Sequence, residues 1–257
     1  MSVTKKLLSA VGMGAAKVET EINKAHLVPG EMITASVKVT GGSVAQTVNG
    51  IYFYTVGSCR FSDDGRIKYR QVTFDTHRLS DGFTIEPGDV YTTQASFELT
   101  HNTPLTVGGN KVYVQTGLDV SMAIDPKDTD EIIVQPGAIV QSMFTAMNDL
   151  GFRMYKSDCE EGYKLGRRYI QEFEYRPTSH PFRNKLDEVE LVCLASPNSV
   201  NVYMQVDRRA NGLGGLLASA LDADESNLRF TVTEADIPFM KQKLSDVIQT
   251  NMNKTFF

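Results

Sequence analysis

Apolar and polar residues alternate with a period of two along much of the chain, and the clearest alternation follows a Pro-Gly turn that occurs twice. Val28-Pro29-Gly30-Glu31 leads into residues 32–40, where Ile33, Ala35, Val37 and Val39 face one way and Thr34, Ser36, Lys38 and Thr40 the other. Glu86-Pro87-Gly88-Asp89 leads into residues 90–100, where Ala95, Phe97 and Leu99 alternate with Gln94, Ser96 and Glu98. Such alternation describes a half-buried antiparallel strand, because successive side chains leave opposite faces of the backbone. Proline pre-sets the first central residue of the turn, and glycine tolerates the positive φ of the second.

The same reading places an edge strand over 18–27 and a β-prone stretch over 48–56, with aromatics on both faces at Tyr52-Phe53-Tyr54. Asp63-Asp64-Gly65 reads as a tight hairpin turn into 67–74, and another strand is expected over 111–120. The acidic run Asp125 to Glu131 is polar and separates two apolar-patterned halves, so it reads as a solvated interdomain linker. Helical spacing of Val140, Phe144 and Met147 predicts a helix ending before Gly151. Strand patterns resume over 169–175, 188–194, 200–206 and 228–232, and Ile237, Met240, Leu244 and Ile248 form the stripe of a closing helix over 236–249. The expected architecture is mostly β, two antiparallel β-sandwiches in tandem with a few accessory helices. The expected division is 1–131 and 132–257.

Composition narrows the function classes. With 257 residues, 41% apolar and 22% charged, the chain can bury real cores. A net charge of −5, spread along the sequence, argues against the dense basic face that nucleic acid needs. No apolar run approaches the roughly 18 residues of a membrane span. Cys59, Cys159 and Cys193 are too few and scattered for a disulfide framework, so a reducing cytoplasm is the simpler reading. Lys5-Lys6 and the short apolar run after them read as an amphipathic helix with Leu7, Leu8 and Val11 on one face, rather than a signal peptide. Such a helix would be the one element able to touch a membrane surface.

Catalytic punctuation is sparse. Gly212-Leu213-Gly214-Gly215 lacks the spacing and lysine of a phosphate loop and reads as a turn. The run Asp125, Asp128, Asp130 and Glu131 lacks the glycine and glutamate of a calcium loop. His26, His77, His101 and His180 have no metal-ligand spacing, and no serine sits in a GxSxG elbow. Glu172 and Glu174 share one strand face about 7 Å apart, near a glycosidase-like separation, yet with Phe173 between them they read as a polar outer face. No catalytic residue, cofactor or metal is expected. Arg208 and Arg209 are the candidate binding residues: adjacent arginines at a strand end offer planar donor forks to carboxylate or phosphate.

One ordered set of motifs is more specific than any of its parts. It runs from Gly14-Ala15-Ala16-Lys17-Val18 through the first Pro-Gly strand with Gly41-Gly42, then Thr116-Gly117-Leu118-Asp119 and Gln171-Glu172-Phe173-Glu174-Tyr175. It continues through Leu186-Asp187-Glu188-Val189-Glu190 to Asp207-Arg208-Arg209-Ala210-Asn211-Gly212-Leu213-Gly214-Gly215. In this set the chain resembles the bacterial sporulation-control protein family, over nearly its whole length. The resemblance implies two arrestin-like sandwich domains, no enzymatic activity, and a cytoplasmic regulator or scaffold acting through protein–protein contacts. Exposed strand edges, including those of a homodimer, are where such contacts are expected. The alternative from another class is an exported ligand-binding or hydrolytic β-sandwich.

Overall fold

In the computed structural model, which describes residues 14–121, 125–207 and 227–252, the two Pro-Gly strands pair with each other. The first nine strands are β1 (Lys17–Ile22), β2 (His26–Leu27), β3 (Met32–Thr40), β4 (Gln46–Asp63), β5 (Arg66–Ser80), β6 (Phe83–Ile85), β7 (Val90–Glu98), β8 (Val112–Val120) and β9 (Lys127–Val134). β3 and β7 run antiparallel over nine consecutive pairs, from Met32 opposite Glu98 to Thr40 opposite Val90. Both ends are closed by backbone bonds. Leu99 N donates to Glu31 O at 2.9 Å, and Gly41 N donates to Asp89 O at 2.8 Å. With β1 added, the order β1-β3-β7 makes one sheet.

Two compact units divide the chain, and both are discontinuous in sequence. The first comprises Met1–Ser58, Gln71–Thr106 and Lys111–Gln135; the second comprises Cys59–Arg70, Val107–Asn110 and Pro136–Phe257. In the first unit the three-stranded sheet packs on a layer containing β9, β8 and β4. Ile33, Ala35, Val37 and Val39 are buried as their alternation requires, and so are Ile51, Phe53, Val114 and Leu118 of the facing layer. The layers meet through Phe53 and Phe97, with ring centroids 4.9 Å apart. A buried Thr20–Thr116 hydroxyl bond of 2.7 Å links β1 to β8. Two sheets sharing one core is the sandwich solution.

The expected hairpin at Asp63-Asp64-Gly65 is present, with Asp64 and Gly65 both at positive φ, as a two-residue turn of this hand needs. Two expectations change. The run Asp125 to Glu131 is no linker: most of it lies in β9, paired to β8 from Val112 opposite Ile132 to Gly117 opposite Lys127. Its acids serve the fold, Asp128 accepting from Thr20 N at 2.6 Å, Asp125 from Val120 N at 3.1 Å, and Asp130 being fully buried. Second, Cys59 and Cys159 form a disulfide, which leaves Cys193 as the free thiol. The scattered spacing that argued against pairing is bridged by the fold, across 100 residues of sequence.

The second unit contains α1 (Ala138–Asp149), β10 (Phe152–Lys164), β11 (Arg167–Pro177), β12 (Glu188–Ser196), β13 (Ser199–Asp207), β14 (Asn227–Thr233) and α2 (Met240–Met252), the last entered through a 3-10 turn, Glu234–Phe239. The five strands pair in chain order, each antiparallel to the next. The helices cover one face: Phe144 of α1 meets Phe173 edge-on at 5.0 Å, and Leu244 and Ile248 of α2 are buried. α1 ends as expected, with Gly151 at φ +86° and its N–H donating to Asn148 O at 3.0 Å. The expected leading helix lies outside the described residues.

Candidate functional site

Arg208, Arg209 and the Gly212–Gly215 turn lie outside the described residues, directly after β13. What the described residues do place together is a charged face on the second unit's sheet, opposite its helices. Strand register sets it up. Lys156 stands opposite Glu174, and Asp158 opposite Glu172; Glu174 in turn stands opposite Glu190. Each pairing puts side chains on the same face, so carboxylates from β10, β11 and β12 converge.

These carboxylates are not a solvated outer face. Glu172 and Glu190 are 7% and 6% exposed, which corrects the polar-surface reading of Glu172. The tip of the β4–β5 hairpin supplies the opposing charge: Arg60 lies 3.2 Å from Asp158 Oδ2 and also pairs with Glu160. Lys156 also pairs with Asp158. Arg70 reaches Glu161 at 2.5 Å and Arg168 reaches it at 3.3 Å; the hydrogen bond from Arg70 holds the Glu161 carboxyl below its usual range. Further along, Arg176 bonds Glu174 at 2.8 Å, approaches Glu188 at 3.6 Å, and lies over the Tyr155 ring at 3.4 Å. Burial, then the hydrogen bond and charge of Glu174, raise Glu188 to about 7. Glu188 therefore keeps its proton up to near neutrality.

This geometry locks strands together. It presents no nucleophile beside a base. Among the described residues no three His, Cys, Asp or Glu side chains are placed to hold a metal ion, and no helix is long and apolar enough to cross a membrane. Burial raises the Cys193 thiol to about 12, so it is not an activated nucleophile. Pattern reading missed Arg60 and the Cys59–Cys159 pair, whose partners lie about a hundred residues away. The available signal was basic Arg60 and Arg70 beside a cysteine, matched by acidic Asp158, Glu160 and Glu161 around another.

The other exposed feature is β7. It is the last strand of the order β1-β3-β7, and Val90, Tyr91 and Thr92 are exposed. Val90 to Phe97 carry no charge, and the strand pairs without a bulge. Of the usual devices that blunt an edge, charge, proline, bulge or brevity, residues 90–97 use none, and the exposed Glu98 closes the strand.

Comparison with known proteins places the chain. A family model, Spo0M, described as SpoOM protein, matches residues 4–210. The chain belongs to this family. The sporulation-control protein Spo0M of Bacillus subtilis (strain 168) is 35% identical over 239 residues, spanning 92% of this chain and 93% of that one. The crystal structure of B. subtilis Spo0M matches at a TM-score of 0.87 and 32% identity, covering 93% of this chain and all of that one. The Spo0M-family match reaches past Asp207 to include Arg208 and Arg209.

Proposed function

We propose that this Spo0M-family protein is a non-enzymatic regulator in the control of sporulation, acting in the cytoplasm through contacts with other proteins. The observation that carries the reading is the 35% identity to a sporulation-control protein over 92% of the chain. We read the two units described above as two arrestin-like domains, with Arg208 and Arg209 as partner-binding residues and no cofactor. The uncharged outer edge of β7 supports binding by strand addition, from a partner or a second copy.

The test is replacement. A B. subtilis strain lacking its sporulation-control protein receives this chain, with spore yield as the readout. Restored yield supports the reading; normal expression without any change in yield overturns it. Crosslinking with co-purification then identifies the protein partners.

One observation favours a second reading, an exported sandwich protein. The Cys59–Cys159 disulfide is characteristic of oxidising compartments. Intact mass of the native protein distinguishes the two: export predicts loss of an N-terminal segment and one reactive thiol after unfolding without reductant, whereas the cytoplasmic reading predicts a retained N-terminus and three thiols.

A further inference from the structure

The second unit contains a polar cavity of about 500 Å³, where the end of α1, the start of β10, the 178–182 loop and one face of α2 meet. That volume falls in the range of small-molecule sites, roughly 300–1,000 Å³. Its floor is firmly built. Thr178 bonds Gly151 O twice, through its backbone N at 2.7 Å and its hydroxyl at 2.9 Å. A Cβ at Gly151 would stand 1.9 Å from Ser179 Oγ, so the two turns are in intimate contact. Beneath them the Phe152 and Phe182 rings pack 5.0 Å apart. On α2, Lys241, Ser245 and Gln249 recur at i, i+4 and i+8, which presents one helical face to the cavity.

Two basic side chains, Arg153 and Lys241, line this cavity. Arg60, Arg70, Arg168, Arg176 and Lys243 all pair with carboxylates. Arg153 and Lys241 do not, among the described residues. Arg153 Nη1 donates to Asn148 O at 3.0 Å and Phe152 O at 2.8 Å. These bonds anchor the guanidinium at the cavity and leave Nε and Nη2 without a partner among the described residues. Lys241 lines the same space two residues from the paired Lys243. The carboxylate in the lining is Asp149, and Asn148 and Gln249 add neutral amides.

We propose that this cavity binds a small phosphorylated polyol. One anchored and one free cation without carboxylate partners suit a phosphate dianion, which accepts bidentate bonds from Arg and a point charge from Lys. The cavity is larger than a phosphate group alone. Its remaining polar lining, with Asp149, Asn148 and Gln249 able to accept from hydroxyls, fits a hydroxylated rather than an apolar remainder. The carbonyl end of α1 also faces this space and disfavours an anion, so binding depends on both cations. The inference stands apart from the regulatory reading above and does not rest on it.

The test uses the full chain and amide NMR titrations with glycerol 3-phosphate, inorganic phosphate and glycerol. Glycerol 3-phosphate is expected to give saturable shifts at Gly151, Ser179, Lys241 and Gln249, with inorganic phosphate weaker and glycerol silent. Lys241→Gln removes one charge-assisted bond, and affinity falls about tenfold or more. Asp149→Asn removes a repelling charge and tightens inorganic phosphate. Lys241 is exposed and makes no bond, so its variant keeps the fold. The proposal is overturned if neither phosphate produces saturable shifts up to about 20 mM, a concentration well above a millimolar Kd, or if Lys241→Gln binds as the parent does.

Discussion

Gly41 and Gly88 meet at one turn junction, yet alanine at each should fail for a different reason. Gly41 follows β3, donates to Asp89 O at 2.8 Å and accepts from Gly88 N at 3.4 Å. A Cβ there would lie 2.0 Å from Glu86 O and 3.2 Å from Gly88 N, both backbone atoms. Carbon and oxygen atoms need well over 3 Å, so the end of β3 and the 86–89 turn must part by more than about 1 Å. That breaks both bonds, each worth about 1 kcal/mol, and loosens packing for a total of about 3 kcal/mol. Gly88 has φ +78° and nothing within 4 Å of its Cβ position. Its alanine meets only left-handed backbone strain, about 1 kcal/mol. By the usual scaling for chains of this size, Gly41→Ala lowers Tm by about 6–12 °C and Gly88→Ala by about 2–4 °C. Calorimetry, checked by urea midpoints at unchanged m, reads both. If Gly41→Ala proves no worse than Gly88→Ala, the closed junction is not what secures this pairing.

Three further outcomes follow from the second unit. Arg60→Met removes one charge partner of Asp158 and Glu160, which are largely shielded from solvent, while Lys156 still faces Asp158; about 2 kcal/mol should be lost in urea unfolding and largely recovered by adding Asp158→Asn with Glu160→Gln. Glu188 is raised from its ordinary range to about 7, so the folded state holds an extra proton between about pH 4.5 and 7. Stability therefore falls as pH rises through that window, and Glu188→Gln flattens the fall in pH-dependent melting curves. Reduction of Cys59–Cys159 opens a loop of 100 residues and should cost about 2–4 kcal/mol, while half-buried Cys193, its thiol raised to about 12, reacts with iodoacetamide far more slowly in the folded protein than after unfolding, as thiol mass labelling will record.

Legibility in the sequence followed locality. The β3 and β7 alternation, the Asp64-Gly65 turn and the Val140-Phe144-Met147 stripe are decided within a few residues, and each was readable. β10 was not. A bulge between Met154 and Lys156 breaks its period, and its inward positions include Ser157 and Cys159, so polar inward residues replace the expected apolar ones. β9 misled because acids usually mean solvent; here Asp128 satisfies the Thr20 N–H across the sandwich. The acidic face of β11 and β12 looked like surface because its counter-charge, Arg60, sits on a hairpin about a hundred residues earlier. Long-range charge matching leaves no periodic trace.

The Gly41–Asp89 bond has one more consequence. The chain leaves β3 and returns to β7 at the same point, so residues 42–88 form an excursion whose ends are pinned together. Whatever length the β4–β5 hairpin takes, the register of β3 on β7 is unaffected. Insertions and deletions at the 63–66 turn are thus insulated from the register of the first sheet.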